Sequence, residues 1–154
     1  MLARKSMACI LKVCPSVRSK ELNALFASAR PNHCSKNLQP MLRHALVCVC
    51  AYQGTKLVGF AKVIGDGGVH GFLLDPTVAP AHQRKGIGRR LVETCAKESR
   101  RRGIEWLHVD FEPRLAKFYR ACGFSPTKAG LRKLKNESSP ISRIRRRGRR
   151  PRLP

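Results

Sequence analysis

A chain of 154 residues, 42% hydrophobic and with a formal net charge of +23, is long and apolar enough for one folded unit with a sizeable core, which excludes a wholly disordered chain. The surplus of cations suits an anionic ligand, a nucleic acid or an acidic membrane surface without choosing among them. No apolar run approaches the roughly 20 residues needed to cross a bilayer, and seven cysteines without a C-x-x-C pair point to reduced thiols in a cytoplasmic protein, not to a zinc site.

Residues 1–16 read as an N-terminal extension. The first 20 residues carry Arg4, Lys5, Lys12, Arg18 and Lys20 and no acid, which weakly resembles a transit peptide, while "ACILKV" reads equally as a first strand. "SKELNALFASA" then places Leu22, Leu25, Phe26 and Ala29 at helical spacing, with Ser19 as N-cap and Glu21 in the first turn. A weaker helix begins near Pro40. "LVCVCAY" and "KLVGFAKVIGD", joined by "QGT", predict a hairpin over residues 46–65 in which Cys48 and Cys50 are buried packing residues. "VHGFLLDPTV" is apolar enough for a buried strand, but Pro76 lacks a ladder donor, so a bulge or a parting of strands is expected there.

Residues 86–102 predict the clearest helix, with Ile87, Leu91, Val92 and Cys95 facing inward and Gly103 as its stop. "IEWLHVDF" follows as a strand, and Pro113 opens a helix, "PRLAKFYRAC", that Gly123 ends. Strand, helix, strand in this order implies parallel pairing through a helical crossover. "GFSPTKAGLRKL" is expected to add one or two closing strands. Residues 135–154 read as a disordered basic tail: from position 132 onward the chain holds ten of its 32 Lys and Arg against Glu137 alone.

The loop "QRKGIG" lies where the chain turns from strand to helix. Gly86 and Gly88 let the backbone approach a ligand, the first-turn N–H groups are unpaired, and the helix dipole points its positive end at the same place. Arg84, Lys85, Arg89 and Arg90 crowd a helix start where acids would normally sit, which makes sense if the loop holds a multiply charged anion such as a diphosphate. The spacing is neither that of a Walker loop nor the dinucleotide G-x-G-x-x-G.

"VAPAHQRKGIGRRLV" resembles the V-x-P-x-x-[QR]-x-x-G-x-[GA] signature of the GNAT superfamily of acyl-CoA-dependent N-acyltransferases, and "LAKFYRACGF" is similar to that family's helix with the Y-x-x-x-G-F ending. The likeness covers roughly residues 17–134. It implies an α/β fold, with a mixed sheet of six to seven strands splayed between the fourth and fifth and flanked by about four helices. It also implies acetyl-CoA as cosubstrate: Val78 and Ala79 would offer backbone groups to pantetheine, and Arg84, Lys85, Gly86, Gly88 and Arg89 would line the pyrophosphate. Glu112 stands where the family often has Asn.

Acetyl transfer to an amine needs a neutral amine, a polarised carbonyl and a protonated leaving thiolate. The resemblance points to Tyr119 as the acid for the thiolate, although Leu115, Phe118, Tyr119 and Cys122 share one helical face and a core tyrosine fits as well. Asp75, three residues before Val78, is the candidate base, equally readable as a bulge residue preceding proline. His108 and Asp110 are alternatives, with His70, His82 and Glu112 as weaker ones. No metal constellation emerges. The expected activity is N-acetylation of a primary amine of a small molecule or protein by direct transfer in a ternary complex, by a monomer or homodimer. The alternative is a basic nucleic-acid-binding protein with an inactive domain of this type, disfavoured because the charged tail has no aromatic residue to stack on bases.

Overall fold

A computed structural model describes residues 8–134. Five strands, β1 (Cys9–Val13), β2 (Val47–Gln53), β3 (Lys56–Gly65), β4 (His70–Val78) and β5 (Trp106–His108), lie side by side in chain order. The first four are successively antiparallel and β5 runs parallel to β4. β2 and β3 form the expected hairpin, closed by a turn in which Gly54 takes φ of 59°.

Successive side chains of a strand point to opposite faces, and β3 has a helix on each. Phe60 meets Phe26 of α1 (Ser19–Ala29) edge to face at 5.8 Å. Its neighbour Gly59 faces α3 (Ile87–Arg101) so closely that a Cβ there would lie 2.9 Å from Leu91 Cδ1 and 3.1 Å from Ala51 Cβ. Leu22, Val47, Val49, Val58, Leu91 and Val92 are wholly buried between the layers. Two short helices, α2 (Gln39–Arg43) and α4 (Ala116–Ala121), complete the set, with α4 entered through a 3-10 turn over Pro113–Leu115. No helix among the described residues is long and apolar enough to cross a membrane.

Four expectations change in detail. Ser19 is the first helical residue, not the cap: its Oγ accepts from the Leu38 N–H (2.9 Å), while Glu21 reaches back to accept from the Arg18 N–H (3.1 Å). The strand read from "IEWLHVDF" shrinks to three residues, because β4 offers partners only from His70 to Phe72. Residues 125–134 form no strand and are exposed, since Pro126, Gly130 and three interspersed cations leave no alternating apolar face to bury. The sheet therefore has five strands among the described residues, not six or seven. The tail from 135 lies outside the described residues.

Candidate functional site

Pro76 does mark a bulge. Lys62 pairs with Leu74 and Phe60 with Thr77, so β4 carries one residue more than β3 across this step, and Asp75 takes φ of 57°. From Leu73 onward β4 has no partner in β5, so the two parallel strands part at this point. Beyond the bulge Gly59 faces Val78, and the Ala79 N–H donates to Val58 O (2.8 Å). Antiparallel geometry then turns the N–H and C=O of Val78 away from β3, toward the edge that β5 has left. The Val78 carbonyl accepts from the Gln83 side-chain amide (3.0 Å). Ala79 differs from its expected role: its N–H is spent on Val58, and its carbonyl accepts from the His82 N–H (2.8 Å).

α3 starts at the same edge. Gly86 is its N-cap with φ of 76°, and the first intrahelical bond runs from the Arg90 N–H to Gly86 O (3.1 Å). The N–H groups of Ile87, Gly88 and Arg89 consequently have no intrahelical acceptor. A Cβ on Gly86 would meet no atom within 4 Å, so glycine is needed there for its left-handed backbone. Gly88 is different: a Cβ would sit 3.5 Å from Phe118 Cζ of α4 and 3.7 Å from Val78 Cγ2, so this glycine brings the ends of β4, α3 and α4 together.

The loop cations are held lightly. Lys85 Nζ donates to Ala81 O (2.9 Å), the Arg90 guanidinium to Cys9 O (3.2 Å), and Arg89 pairs along the exposed helix with Glu93 (2.6 Å). Arg84 is exposed and, like Gly86, left-handed, with φ of 57°. The α3 first turn contains no acid, so the helix dipole adds to the charges of Arg84, Lys85 and Arg90 at the open N–H groups, and Arg89 is the one of the four paired with an acid, Glu93 one turn on.

Tyr119, only 3% exposed, sits in a cage of rings. It stacks on Phe111 at 4.6 Å and meets Phe118 and Phe124 edge to face at 5.0 and 5.7 Å. Burial, with Cys122 and Asp110 adding to it, pushes its hydroxyl up to about 12, so the proton stays on the phenol throughout the physiological range. Through Phe118 the ring lies next to the residue that touches Gly88.

Asp75 and Thr77 face α1. One Asp75 carboxylate oxygen lies 2.6 Å from Lys62 Nζ, the other 3.2 Å from Arg30, and the same guanidinium donates to Thr77 Oγ1 (2.9 Å). Burial alone would raise the Asp75 pKa, but Lys62 and then Arg30 outweigh it and hold the carboxyl below the usual range. A carboxylate bound by two cations is a weak proton acceptor, so the geometry does not suit Asp75 to the base role expected of it. Lys62 and Arg30 were missed in the sequence, although a lysine inside "VGFAKVI" is a buried charge that must find a partner.

The remaining candidates are scattered. His70 and His108 bond each other at 2.8 Å on the exposed face of β4 and β5, where His108 also stacks on Phe72 at 4.8 Å. Glu112 is paired with Arg114 on the surface. His82 Nε2 meets Gln53 Oε1 at 2.5 Å, while its Nδ1 is buried without a partner, and burial followed by the charges of Lys85 and Lys56 lowers its pKa, which keeps the ring neutral at pH 7. No group of three or more metal-ligating side chains occurs among the described residues.

Residues 16–124 match the model of the acetyltransferase (GNAT) family. The chain is 30% identical over 115 residues to GCN5-related N-acetyltransferase 1, chloroplastic, of Arabidopsis thaliana, covering 73% of this chain and 58% of that one. It is also 30% identical over 109 residues to serotonin N-acetyltransferase 2, chloroplastic, of rice (Oryza sativa subsp. japonica), covering 68% and 54%. It thus spans little more than half the length of these relatives. Among solved structures, a GNAT family acetyltransferase of Streptococcus pneumoniae superposes with a TM-score of 0.72 at 24% identity, covering 84% of this chain and all of that one.

Proposed function

The chain belongs to the GNAT acetyltransferase family, and from that premise we propose that it transfers an acetyl group from acetyl-CoA to a primary amine of a small molecule or protein, with both substrates bound at once. The observation that carries this reading is the meeting of β4, α3 and α4 at Gly88, which joins an open strand edge at Val78 to an open, cation-ringed helix start. The Val78 N–H would bond pantetheine as a strand neighbour would. Gly86, Gly88 and the first-turn N–H groups would take the diphosphate, with Arg84, Lys85 and Arg89 around it, and Ala79 would fix the strand end by its bonds to Val58 and His82.

The amine nitrogen attacks the thioester carbonyl, the carbon–nitrogen bond forms, the carbon–sulfur bond breaks with its electron pair leaving on sulfur, and the nitrogen gives up one proton to solvent water. Tyr119 would donate a hydrogen bond to that thiolate. With its hydroxyl at about 12, roughly three units above an ordinary thiol, it keeps its proton and stabilises the departing charge by hydrogen bonding, and the released thiolate takes its proton from solvent. Asp75 would hold the bulge open with Lys62 and Arg30, and the dense positive charge favours the neutral, reactive form of the amine. Placement in the cytoplasm is a further proposal for fractionation to test, since the relatives above carry chloroplastic names.

Tyr119→Phe tests the mechanism, because it keeps the ring cage and removes one oxygen. Turnover should fall at least about tenfold, a floor below the 10²- to 10⁴-fold typical of general acid help because water partly substitutes, while the acetyl-CoA Kd changes less than about twofold. The readout is CoA release with an amine panel that includes serotonin, beside calorimetric titration of acetyl-CoA. Equal maximal rates would assign the hydroxyl to the core.

A further inference from the structure

We propose that Cys14 and Cys48 form a reversible intramolecular disulfide, a modification site outside the transfer chemistry, with a small-molecule disulfide such as oxidised glutathione as its oxidant. All seven cysteines are free thiols, but these two stand in a particular relation. The last pair of the β1–β2 ladder is Val13 with Val49, so one further step sets Cys14 opposite Cys48. The Cys14 N–H donates to Cys48 O at 2.7 Å, as a ladder partner should. The return bond is altered: the Cys48 N–H donates to the Cys14 sulfur at 3.5 Å. Cys14 has turned to φ of 46°, which swings its side chain onto the partner strand where its carbonyl would otherwise lie.

Directly opposed residues of this kind have Cα atoms about 5.5 Å apart, inside the 4.4–6.8 Å that a disulfide spans. Their accessibility is unequal in a useful way. Cys14 is exposed, whereas Cys48 is 8% exposed, so an incoming disulfide meets Cys14 first. The Cys14 thiolate attacks one sulfur of oxidised glutathione, forming a mixed disulfide and releasing one glutathione thiolate. The Cys48 thiolate then attacks the Cys14 sulfur and releases the second. Two protein thiols are oxidised and one glutathione disulfide is reduced, with both protons passing to the glutathione thiolates or solvent. Burial, followed by the Cys14 neighbour, pushes Cys48 up to about 11, so the second step is the slow one and quickens with pH. The bridge would tie the end of β1 to β2 immediately before α1, closing the loop from 15 to 47.

The test uses the full chain incubated with oxidised glutathione at pH 8, then denatured, alkylated and mapped by mass spectrometry, with Cys14→Ser beside it. The expected product has five alkylatable thiols, carries no glutathione, and shows peptides containing Cys14 and Cys48 joined with the loss of two hydrogens. Dithiothreitol restores seven. In Cys14→Ser no linkage involving Cys48 forms. Bridge formation in the wild type should quicken several-fold from pH 7 to pH 8. Accumulation of Cys14 bearing glutathione with Cys48 still alkylatable, a bridge between other cysteines, or seven thiols surviving the incubation would each overturn the proposal. Cys14 and Cys48 lie outside the transfer machinery, so acetyl-CoA titration of Cys14→Ser should match the wild type and report folding independently.

Discussion

The turn before α3 and the bulge of β4 both concentrate positive charge, and they use it in opposite ways. At the bulge, Lys62, with its side chain 6% exposed, and Arg30 close on the single carboxylate of Asp75. At the turn, four cations ring a helix start with no acid in its first turn, and the one pair there, Arg89 with Glu93, is exposed on both sides. Charge that is matched and buried fixes a shape, here a non-glycine residue at φ of 57°. Charge left unmatched beside open N–H groups is available to a ligand. The same residue types thus hold the cleft apart in one place and would fill it in the other.

Removing a single charge should cost most at the bulge. Lys62→Met keeps the stem and removes the ammonium, leaving Asp75 with Arg30 alone. The loss should be about 2 kcal/mol, less than the 3–5 typical of an orphaned buried charge because one partner remains. Thermal unfolding should report it as a fall of about 4–8 °C. The pH dependence has a fixed sign. Since Asp75 is held below the ordinary carboxylate range, its contribution is complete above the unfolded pKa near 4 and is lost as pH falls through the lower folded value. The stability gap between wild type and Asp75→Asn should therefore be constant from about pH 8 to 5 and close in stronger acid, which urea titrations at a series of pH values would reveal.

At the turn the expected losses are in affinity. Gly86→Val forces a branched residue to φ of 76°, and acetyl-CoA binding should weaken tenfold or more, roughly 1.4 kcal/mol. Circular dichroism must first show that the variant folds. Arg84→Gln removes one exposed charge and should cost only about threefold, with the difference shrinking as salt rises toward 1 M. Smallest of all is truncation after Asn136, which removes seven arginines and should leave turnover of a small amine unchanged. Loss of activity in a folded truncation would draw the tail into the domain.

The turn was legible in the sequence and the bulge only half so. Gly86, Gly88 and the cations before them carry their meaning locally, because helix start, left-handed glycine and charge fall within seven residues. Pro76 announced a break in the ladder, but the partners of Asp75 come from positions 30 and 62, and no spacing rule joins a helix end to the middle of a strand. Val78 was singled out by motif and its backbone faces the edge that β5 leaves, whereas the internal bonds of Ala79 depend on register with Val58 and are invisible without it. β5 was overextended for the same reason: "IEWLHVDF" has the composition of a long strand, but β4 leaves it after Phe72. Tyr119 was assigned by motif, and the rings that encase it come from three separate segments.

Calorimetric titration of two ligands tests most directly whether the turn before α3 receives the diphosphate of acetyl-CoA. Acetyl-CoA and S-acetylpantetheine share the thioester and the pantetheine arm, but only the first carries the diphosphate and nucleotide. Gly86→Val should weaken acetyl-CoA about tenfold while leaving S-acetylpantetheine within about twofold of its wild-type Kd. An equal loss for both ligands would contradict the claim, because the glycine would then be shaping the cleft as a whole and not meeting the phosphates.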